Sequence, residues 1–141
     1  MTIGRIIEGR DNVVTCDVST TVREATAILA DRRIGAVPVL ENGEITGIFS
    51  ERDVIYRLRE MGAGVLDLPV GEIMTASPVM VEPETSVIAA LSLMTRRRIR
   101  HLPVVRDGRM IGFVSIGDLV KHRIDMIETE AAAMRDYIQT A

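Results

Sequence analysis

Residues 36–53 read AVPVLENGEITGIFSERD, and residues 101–118 read HLPVVRDGRMIGFVSIGD. Each stretch holds two apolar runs joined by a two-residue turn, Asn42-Gly43 in the first and Asp107-Gly108 in the second. Both dipeptides suit a type I′ turn, whose two central residues take positive φ, so each stretch predicts a β-hairpin. The runs are almost continuously apolar, which predicts hairpins that are covered on both faces.

The two hairpins belong to an internal duplication with an offset of 65 residues. Thirteen of the 42 gap-free pairs that start from Val14 and end at Ile55 are identical. Before each hairpin, apolar residues recur with helical spacing and predict an amphipathic helix. Short β-branched runs at Val13–Cys16 and Val79–Val81 predict a further strand in each copy. Each copy therefore predicts strand, helix, hairpin and helix.

The predicted fold class is α+β, with two similar half-bodies packed about a pseudo-twofold axis into one module. Such an arrangement produces two similar clefts. We expect the first repeat at 11–66, a linker at 67–72, the second repeat at 73–124 and a C-terminal helical extension at 125–141.

Composition and motifs exclude several classes of protein. The 141 residues are 47% hydrophobic and 26% charged, which excludes disorder. No apolar run is long enough for a membrane span and the N-terminus lacks a secretory signal, so we expect a cytoplasmic protein without a membrane partner. A net charge of −3 with two Tyr, two Phe and no Trp argues against nucleic-acid binding. His101, His122 and Cys16 lack metal-ligand spacing, so no metal is expected.

Both hairpins end in the pattern Ser-x-x-Asp, formed by Ser50 with Asp53 and by Ser115 with Asp118. At a strand-to-helix junction this pattern predicts a capping box, in which serine and acid satisfy each other's backbone amides. The same geometry could serve as a ligand site, with phosphate at the helix N-terminus and a sugar diol on the carboxylate. We expect the two roles to compete, because an Asp bonded to the cap amide is not free for a sugar.

The duplicated hairpins and Ser-x-x-Asp patterns resemble a tandem pair of cystathionine beta-synthase (CBS) domains, over roughly residues 11–124. The resemblance implies a βαββα unit and clefts that bind adenosine-containing ligands: AMP above all, or ATP, ADP, NAD or S-adenosylmethionine. It assigns the ribose to the two aspartates, the phosphate to the two serines and the adenine to the strand backbone. The implied binding residues are Ser50, Asp53, Ser115, Asp118, Ala36, Pro38, His101 and Pro103.

The two copies differ in charge near these patterns. Glu51 follows Ser50, whereas Ile116 and Gly117 follow Ser115, and an acid beside a phosphate lowers affinity. The second copy also carries more arginines upstream. We therefore expect the cleft of Ser115 and Asp118 to be more basic and to bind phosphate better, with Arg98, Arg100 and His101 as the favoured charge partners. Because a cleft in a paired module can use residues of the other repeat, the sequence leaves open which arginine serves which cleft. Alternatively, these arginines form a solvated helix end that the helix dipole favours.

The last helix extends beyond the second copy with a heptad-like seam of apolar residues. The seam is too short for an isolated coiled coil, so the tail either folds back or joins a second copy of the chain. We expect a homodimer, with Ile3, Ile6 and Ile7 as further interface candidates. The seam comprises Val120, Ile124, Ile127, Ala131, Met134 and Ile138.

Three functions remain open. The first is a regulatory module that senses an adenine nucleotide and acts on a separate effector protein. The alternative is a structural or interaction module whose serines only cap helices. An enzyme that acts on the nucleotide is disfavoured, because Asp53 and Asp118 have no adjacent nucleophile, metal cluster or second titrating group in the sequence pattern.

Overall fold

A computed structural model describes residues 1–10 and 12–140 of the chain. In each repeat one helix precedes the hairpin and another follows it, as the duplication predicts, whereas the predicted strand Val79–Val81 is reduced to an isolated bridge at Val81. Two short 3-10 helices follow the last helix of the first repeat, at Gly62–Asp67 and Val70–Glu72. The helices are α1 (Ile3–Ile7), α2 (Val22–Arg32), α3 (Glu51–Met61), α4 (Val87–Arg97) and α5 (Ile116–Thr140). The strands are β1 (Cys16–Asp17), β2 (Ala36–Glu41), β3 (Glu44–Ser50), β4 (Thr75–Ala76), β5 (His101–Arg106) and β6 (Arg109–Ser115).

The two predicted hairpins are confirmed. Strands β2 and β3 pair antiparallel, as do β5 and β6, with each bulge at the same place in the duplication. Asn42 and Gly43 have φ of 52° and 81°, and Asp107 and Gly108 have φ of 52° and 78°. The positive φ at both central positions is what a type I′ turn requires, which explains why these dipeptides specify the turns.

The outer strands are shorter than the sequence predicts. The first sheet has the order β1-β2-β3-β4, whereas β5 and β6 form a two-stranded sheet that a single parallel bridge from Val81 to Val104 extends. The predicted strand Val13–Cys16 pairs only at its last residue and continues to Asp17. Val13 and Val14 instead line a cleft, so these two β-branched residues form part of its wall and do not pair with a neighbouring strand.

Each sheet has its own hydrophobic core, and each core is completed by a segment outside its hairpin. Val65, Val70 and Ile73 pack with the first core, so the segment predicted as a linker contains a buried side chain. The second core takes Ile3, which is fully buried, with Ile6 and Ile7 packed against it. The prediction that these three isoleucines contribute to a dimer interface is therefore wrong for Ile3, because the core of its own chain buries it. Ile6 and Ile7 are partly buried against the same core.

The final helix of each repeat carries an uncovered apolar face. None of the eleven residues of α3, all of which are described, is buried, and α5 buries only Leu119 among its residues. Residues 128–140 are exposed throughout, so of the two alternatives for the tail, folding back onto its own module does not occur. Among the described helices, none combines the length and apolar character needed to cross a membrane.

Candidate functional site

The capping boxes predicted at the starts of α3 and α5 are both present. The Ser50 hydroxyl accepts a hydrogen bond from the Asp53 amide at 3.4 Å, and Asp53 Oδ2 accepts one from the Ser50 amide at 2.9 Å. Ser115 and Asp118 repeat the exchange at 3.1 and 2.8 Å. Each pair therefore fixes the orientation of its own carboxylate at the helix N-terminus.

Capping occupies only part of each carboxylate. An ionised carboxyl group offers two oxygens and about four acceptor positions. Asp53 Oδ1 accepts a long hydrogen bond, 3.5 Å, from the Thr75 hydroxyl, while Asp118 Oδ1 lies 3.2 Å from Arg10 Nη2. The cap bond uses Oδ2, whereas Oδ1 has a different partner, so capping and sugar binding need not use the same oxygen. The competition between the two roles stays a prediction.

Two clefts of similar size flank these carboxylates. The Asp53 cleft has a volume of about 430 Å³ and the Asp118 cleft about 460 Å³, within the range of small-ligand sites. Each combines one Ser-x-x-Asp pair with residues from the opposite repeat. The Asp53 cleft takes Pro78, Val79, Arg98, Ile99 and Arg100 from the other repeat. The Asp118 cleft takes Val13, Val14, Arg33, Ile34 and Ala36 in the same way.

The residues predicted beside the adenine divide into two groups. Ala36 lines the Asp118 cleft, and His101 lines both clefts. Pro38 and Pro103, by contrast, are buried within β2 and β5, and the structure does not bring them to the wall of either cleft. Ala36 and His101, which lie two residues before these prolines, are thus the strand residues that line the clefts.

The arginines are placed differently from the expectation. Arg98 and Arg100 line the Asp53 cleft, so assigning them to Asp118 is wrong. The reason is that the end of α4 faces the opposite repeat, as does the end of α2, which brings Arg33 to Asp118. Arg10, which the sequence analysis also missed, reaches Asp118 from the N-terminal segment. The duplication could have indicated Arg33, because the 65-residue offset aligns it with Arg98.

Arg33 and Arg98 share an unusual backbone conformation. They end α2 and α4 with φ of 53° and 55°, in the left-handed region that glycine usually occupies at a helix C-terminus. An L-residue there is strained, and such strain is often retained at functional sites. In both copies an arginine side chain occupies this position and lines a cleft, which favours a role for the side chain.

The electrostatic balance of the two clefts is similar. The Asp53 cleft is lined by three arginines and two carboxylates, those of Glu51 and Asp53. The Asp118 cleft is lined by two arginines, Arg10 and Arg33, and by the carboxylate of Asp118. Each cleft therefore has one more positive than negative side chain. The prediction that the Asp118 cleft is more basic is therefore wrong. Glu51 lies 4.0 Å from Arg100, which brings an acid close to one of the three arginines of the Asp53 cleft.

The two duplicated aspartates have pKa shifts of opposite direction. Burial raises the pKa of Asp53 above its ordinary value, because the hydrogen bonds from Ser50 and Thr75 only partly offset the loss of solvent. Burial acts on Asp118 too, but there the Ser115 amide and the Arg10 guanidinium outweigh it and lower the pKa. The Arg10 guanidinium, which has no counterpart beside Asp53 Oδ1, thus contributes to the opposite direction of the two pKa shifts.

His101 lies between the two clefts. Its ring stacks on Phe113 with 5.5 Å between ring centroids, and burial, followed by the charge of Arg100, lowers its pKa. A lowered pKa favours the neutral ring, which offers a flat aromatic surface with a hydrogen-bonding edge and does not favour the predicted role of His101 as a charge partner for phosphate. In residues 1–10 and 12–140 no group of three or more His, Cys, Asp and Glu side chains is placed to hold a metal ion.

Comparison with known proteins explains the shared geometry. The family model of the CBS domain matches twice, at residues 3–60 and 70–125. The mitochondrial CBS domain-containing protein CBSX3 of Arabidopsis thaliana is 38% identical over 129 residues, which are 88% of this chain and 63% of that protein's length. The chain thus spans less than two thirds of this relative.

Solved structures show the same fold. A CBS-domain containing protein from Agrobacterium tumefaciens is 36% identical with a TM-score of 0.82, over 87% of this chain and 99% of that one. CBSX2 in complex with AMP is 27% identical with a TM-score of 0.76, over 89% of this chain and 97% of that one. The duplicated hairpins, the paired clefts and these matches establish that the chain belongs to the CBS domain family, as a tandem pair of CBS repeats.

Proposed function

We propose that this protein is a regulatory module that binds adenosine-containing nucleotides, with AMP as the principal ligand, in the two clefts between its repeats. The observation that carries the proposal is the orientation of the duplicated carboxylates. Asp53 and Asp118 each make a cap bond through Oδ2 and direct Oδ1 away from it, in a cleft that also holds arginines from the other repeat.

The chemistry of each cleft suits a nucleotide. A carboxylate oxygen can accept hydrogen bonds from the two hydroxyls of a ribose. The neighbouring arginines favour phosphate, which guanidinium groups bind in a bidentate manner. The strand that begins at Ala36 or His101 supplies backbone next to an apolar surface for a base. CBSX2, whose structure contains AMP, supports an adenine nucleotide as the ligand.

The regulatory role follows from the way the clefts are built. Because each cleft combines residues of both repeats, a bound nucleotide contacts the two repeats at once and favours the arrangement that best fits it. A separate effector protein would then respond to that arrangement. The hydroxyl groups beside the two aspartates belong to Ser50, Thr75 and Ser115, and those of Ser50 and Ser115 accept the cap bonds at their helix N-termini. The proposal assigns no catalytic step to either cleft.

Calorimetry with a panel of ligands tests this function. We expect AMP to bind the wild-type chain, and 2′,3′-dideoxy-AMP, which lacks both ribose hydroxyls, to bind several-fold more weakly because each carboxylate loses its sugar partners. ADP, ATP, NAD and S-adenosylmethionine complete the panel and identify the preferred ligand. Comparing two ligands on one protein keeps protein stability out of the result. Equal affinity for AMP and its dideoxy analogue would contradict the role of the aspartates.

The capping boxes favour a second candidate function, that of a structural or interaction module. Both Ser-x-x-Asp pairs stabilise the starts of their helices without any ligand. The same calorimetric panel distinguishes the two functions, because an interaction module would bind none of the five adenosine-containing ligands. A protein that bound none of them would leave only this second function.

We also propose a homodimer formed through the uncovered faces of α3 and α5. Ile124 and Ile127 are 50% and 48% exposed on α5, and Ile55 is 62% exposed on α3. A second copy could cover these faces, as twofold assemblies commonly do.

We expect Ile127→Arg to shift the chain from dimer to monomer in sedimentation, because a charge at an apolar interface is unfavourable. Met80→Arg, at an exposed apolar residue outside both helices, is the control and should leave the dimer intact. A wild-type monomer at high protein concentration would contradict the proposal.

A further inference from the structure

Among the positions at which the two clefts differ, one lies directly beside the aspartate of each cleft. The 65-residue offset aligns Arg10 with Thr75, and both side chains lie beside the aspartate of their cleft. Thr75 makes one long hydrogen bond to Asp53 Oδ1, at 3.5 Å. Arg10 contacts both oxygens of Asp118, with Nη1 3.3 Å from Oδ2 and Nη2 3.2 Å from Oδ1. The carboxylate of Asp118 is thus engaged through its whole outer edge, whereas that of Asp53 is not.

The N-terminal segment that carries Arg10 packs closely against the second repeat. The Ile3 amide donates to the Thr85 carbonyl and the Gly4 amide to the Pro83 carbonyl, both at 2.9 Å. Further along, Ile7 packs so closely against Gly112 that a Cβ on that glycine would lie 2.9 Å from the Ile7 side chain. The backbone before Arg10 is therefore anchored to the second core, while the Arg10 side chain is 40% exposed to solvent.

This ion pair has a consequence for ligands. A ribose diol can hydrogen-bond to Asp118 Oδ1 only if the Arg10 guanidinium moves away from that oxygen. A ligand with a phosphate offers the guanidinium a new anionic partner in the same cleft, where Arg33 also lies. A nucleoside without phosphate breaks the ion pair and offers no replacement. Thr75 imposes no comparable requirement on the Asp53 cleft.

We propose that Arg10 is the specificity-determining residue of the Asp118 cleft and restricts it to phosphorylated ligands, whereas Thr75 leaves the Asp53 cleft open to nucleosides as well. This inference rests on the proposed function of the clefts. It predicts two classes of site in one small module: one that responds to nucleosides and nucleotides, and one that responds to nucleotides alone. The opposite pKa shifts of the two aspartates agree with it.

Calorimetry with AMP and adenosine tests the proposal one cleft at a time. In an Asp53→Asn background, which reports the Asp118 cleft, we expect Arg10→Thr to lower the ratio of AMP affinity to adenosine affinity by about tenfold. In an Asp118→Asn background, Thr75→Arg should raise the same ratio in the Asp53 cleft. Arg5→Thr is the matched control, because it removes a charge from the same segment at an exposed side chain that lines neither cleft.

A measurement without ligand checks the premise. Titration of the Asp118 carboxyl by NMR should give a higher pKa in Arg10→Thr than in the wild type, because the guanidinium favours the ionised form. If AMP binds but the AMP-to-adenosine ratio does not change in Arg10→Thr, this inference is wrong and the proposed function stands. If wild-type protein binds neither ligand, the proposed function fails and the specificity fails with it, whatever the titration shows.

Discussion

Asp53→Asn is expected to weaken AMP binding in the Asp53 cleft by about ten- to one hundredfold, which is the cost of losing charge-assisted hydrogen bonds. An asparagine there keeps one acceptor oxygen for the Ser50 amide, so the helix cap survives. Its amide group places a donor where the ribose hydroxyls need an acceptor. The change therefore removes the proposed sugar contact and retains the fold. Calorimetry with AMP in an Asp118→Asn background, where only this cleft is intact, measures the effect.

Stability provides the control for this experiment. We expect Asp53→Asn to change the free energy of unfolding by less than about 1 kcal/mol, since the cap acceptor remains. Asp53→Ala, which loses the cap as well, should cost about 0.5 to 2 kcal/mol. Urea unfolding at one fixed protein concentration measures both values. Unchanged AMP affinity in the folded Asp53→Asn protein would show that the carboxylate only caps its helix.

Arg98→Gly is expected to weaken AMP binding in the Asp53 cleft by about tenfold without destabilising the fold. Two effects on stability oppose each other at this position. Glycine relieves the strain of φ 55°, while the loss of a cation at the end of α4 removes a favourable interaction with the helix dipole. The free energy of unfolding should therefore change by no more than about 1 kcal/mol. Calorimetry and urea unfolding of the same variant separate the two effects.

The duplication offers a matched partner for this variant. Arg33→Gly changes the equivalent residue, but it should act on the Asp118 cleft, because the end of α2 faces that cleft. Arg97→Ala removes a neighbouring charge that lines neither cleft and should leave AMP affinity unchanged. If Arg98→Gly weakened the Asp118 cleft and spared the Asp53 cleft, the assignment of arginines across the two repeats would be wrong.

Local patterns predict most of the fold because their causes are local. The turn dipeptides require positive φ, the helices α2 and α4 follow their apolar spacing, and both capping boxes follow from Ser-x-x-Asp. The predicted strand at Val13 fails for a non-local reason. Its β-branched residues favour an extended backbone, but within the predicted strand the neighbouring strand pairs only with Cys16, while Val13 and Val14 line a cleft.

The composition of the clefts could not be predicted from position along the chain. Arg98 and Arg100 follow α4 within the second copy, yet they line the cleft of Asp53 in the first. Likewise, the sequence offers no local reason for Ile3 to enter the second core or for Arg10 to reach Asp118, since 108 residues separate that ion pair. These contacts depend on how the two folded repeats pack against each other, and the spacing of apolar residues along the chain does not specify that packing.

By itself, the amino-acid sequence determined the repeat, its hairpins and its helix starts, because hairpins and helix starts depend on steric preferences and hydrogen bonds within a few residues. The same motifs gave the resemblance to the family. Only the tertiary structure decided which arginine faces which carboxylate, which oxygen of each aspartate remains outside its cap, and how the N-terminal segment makes two duplicated clefts unequal. The physical reason is that packing across the pseudo-twofold axis joins residues far apart in the chain, and small side-chain differences such as Arg10 against Thr75 gain their effect only there.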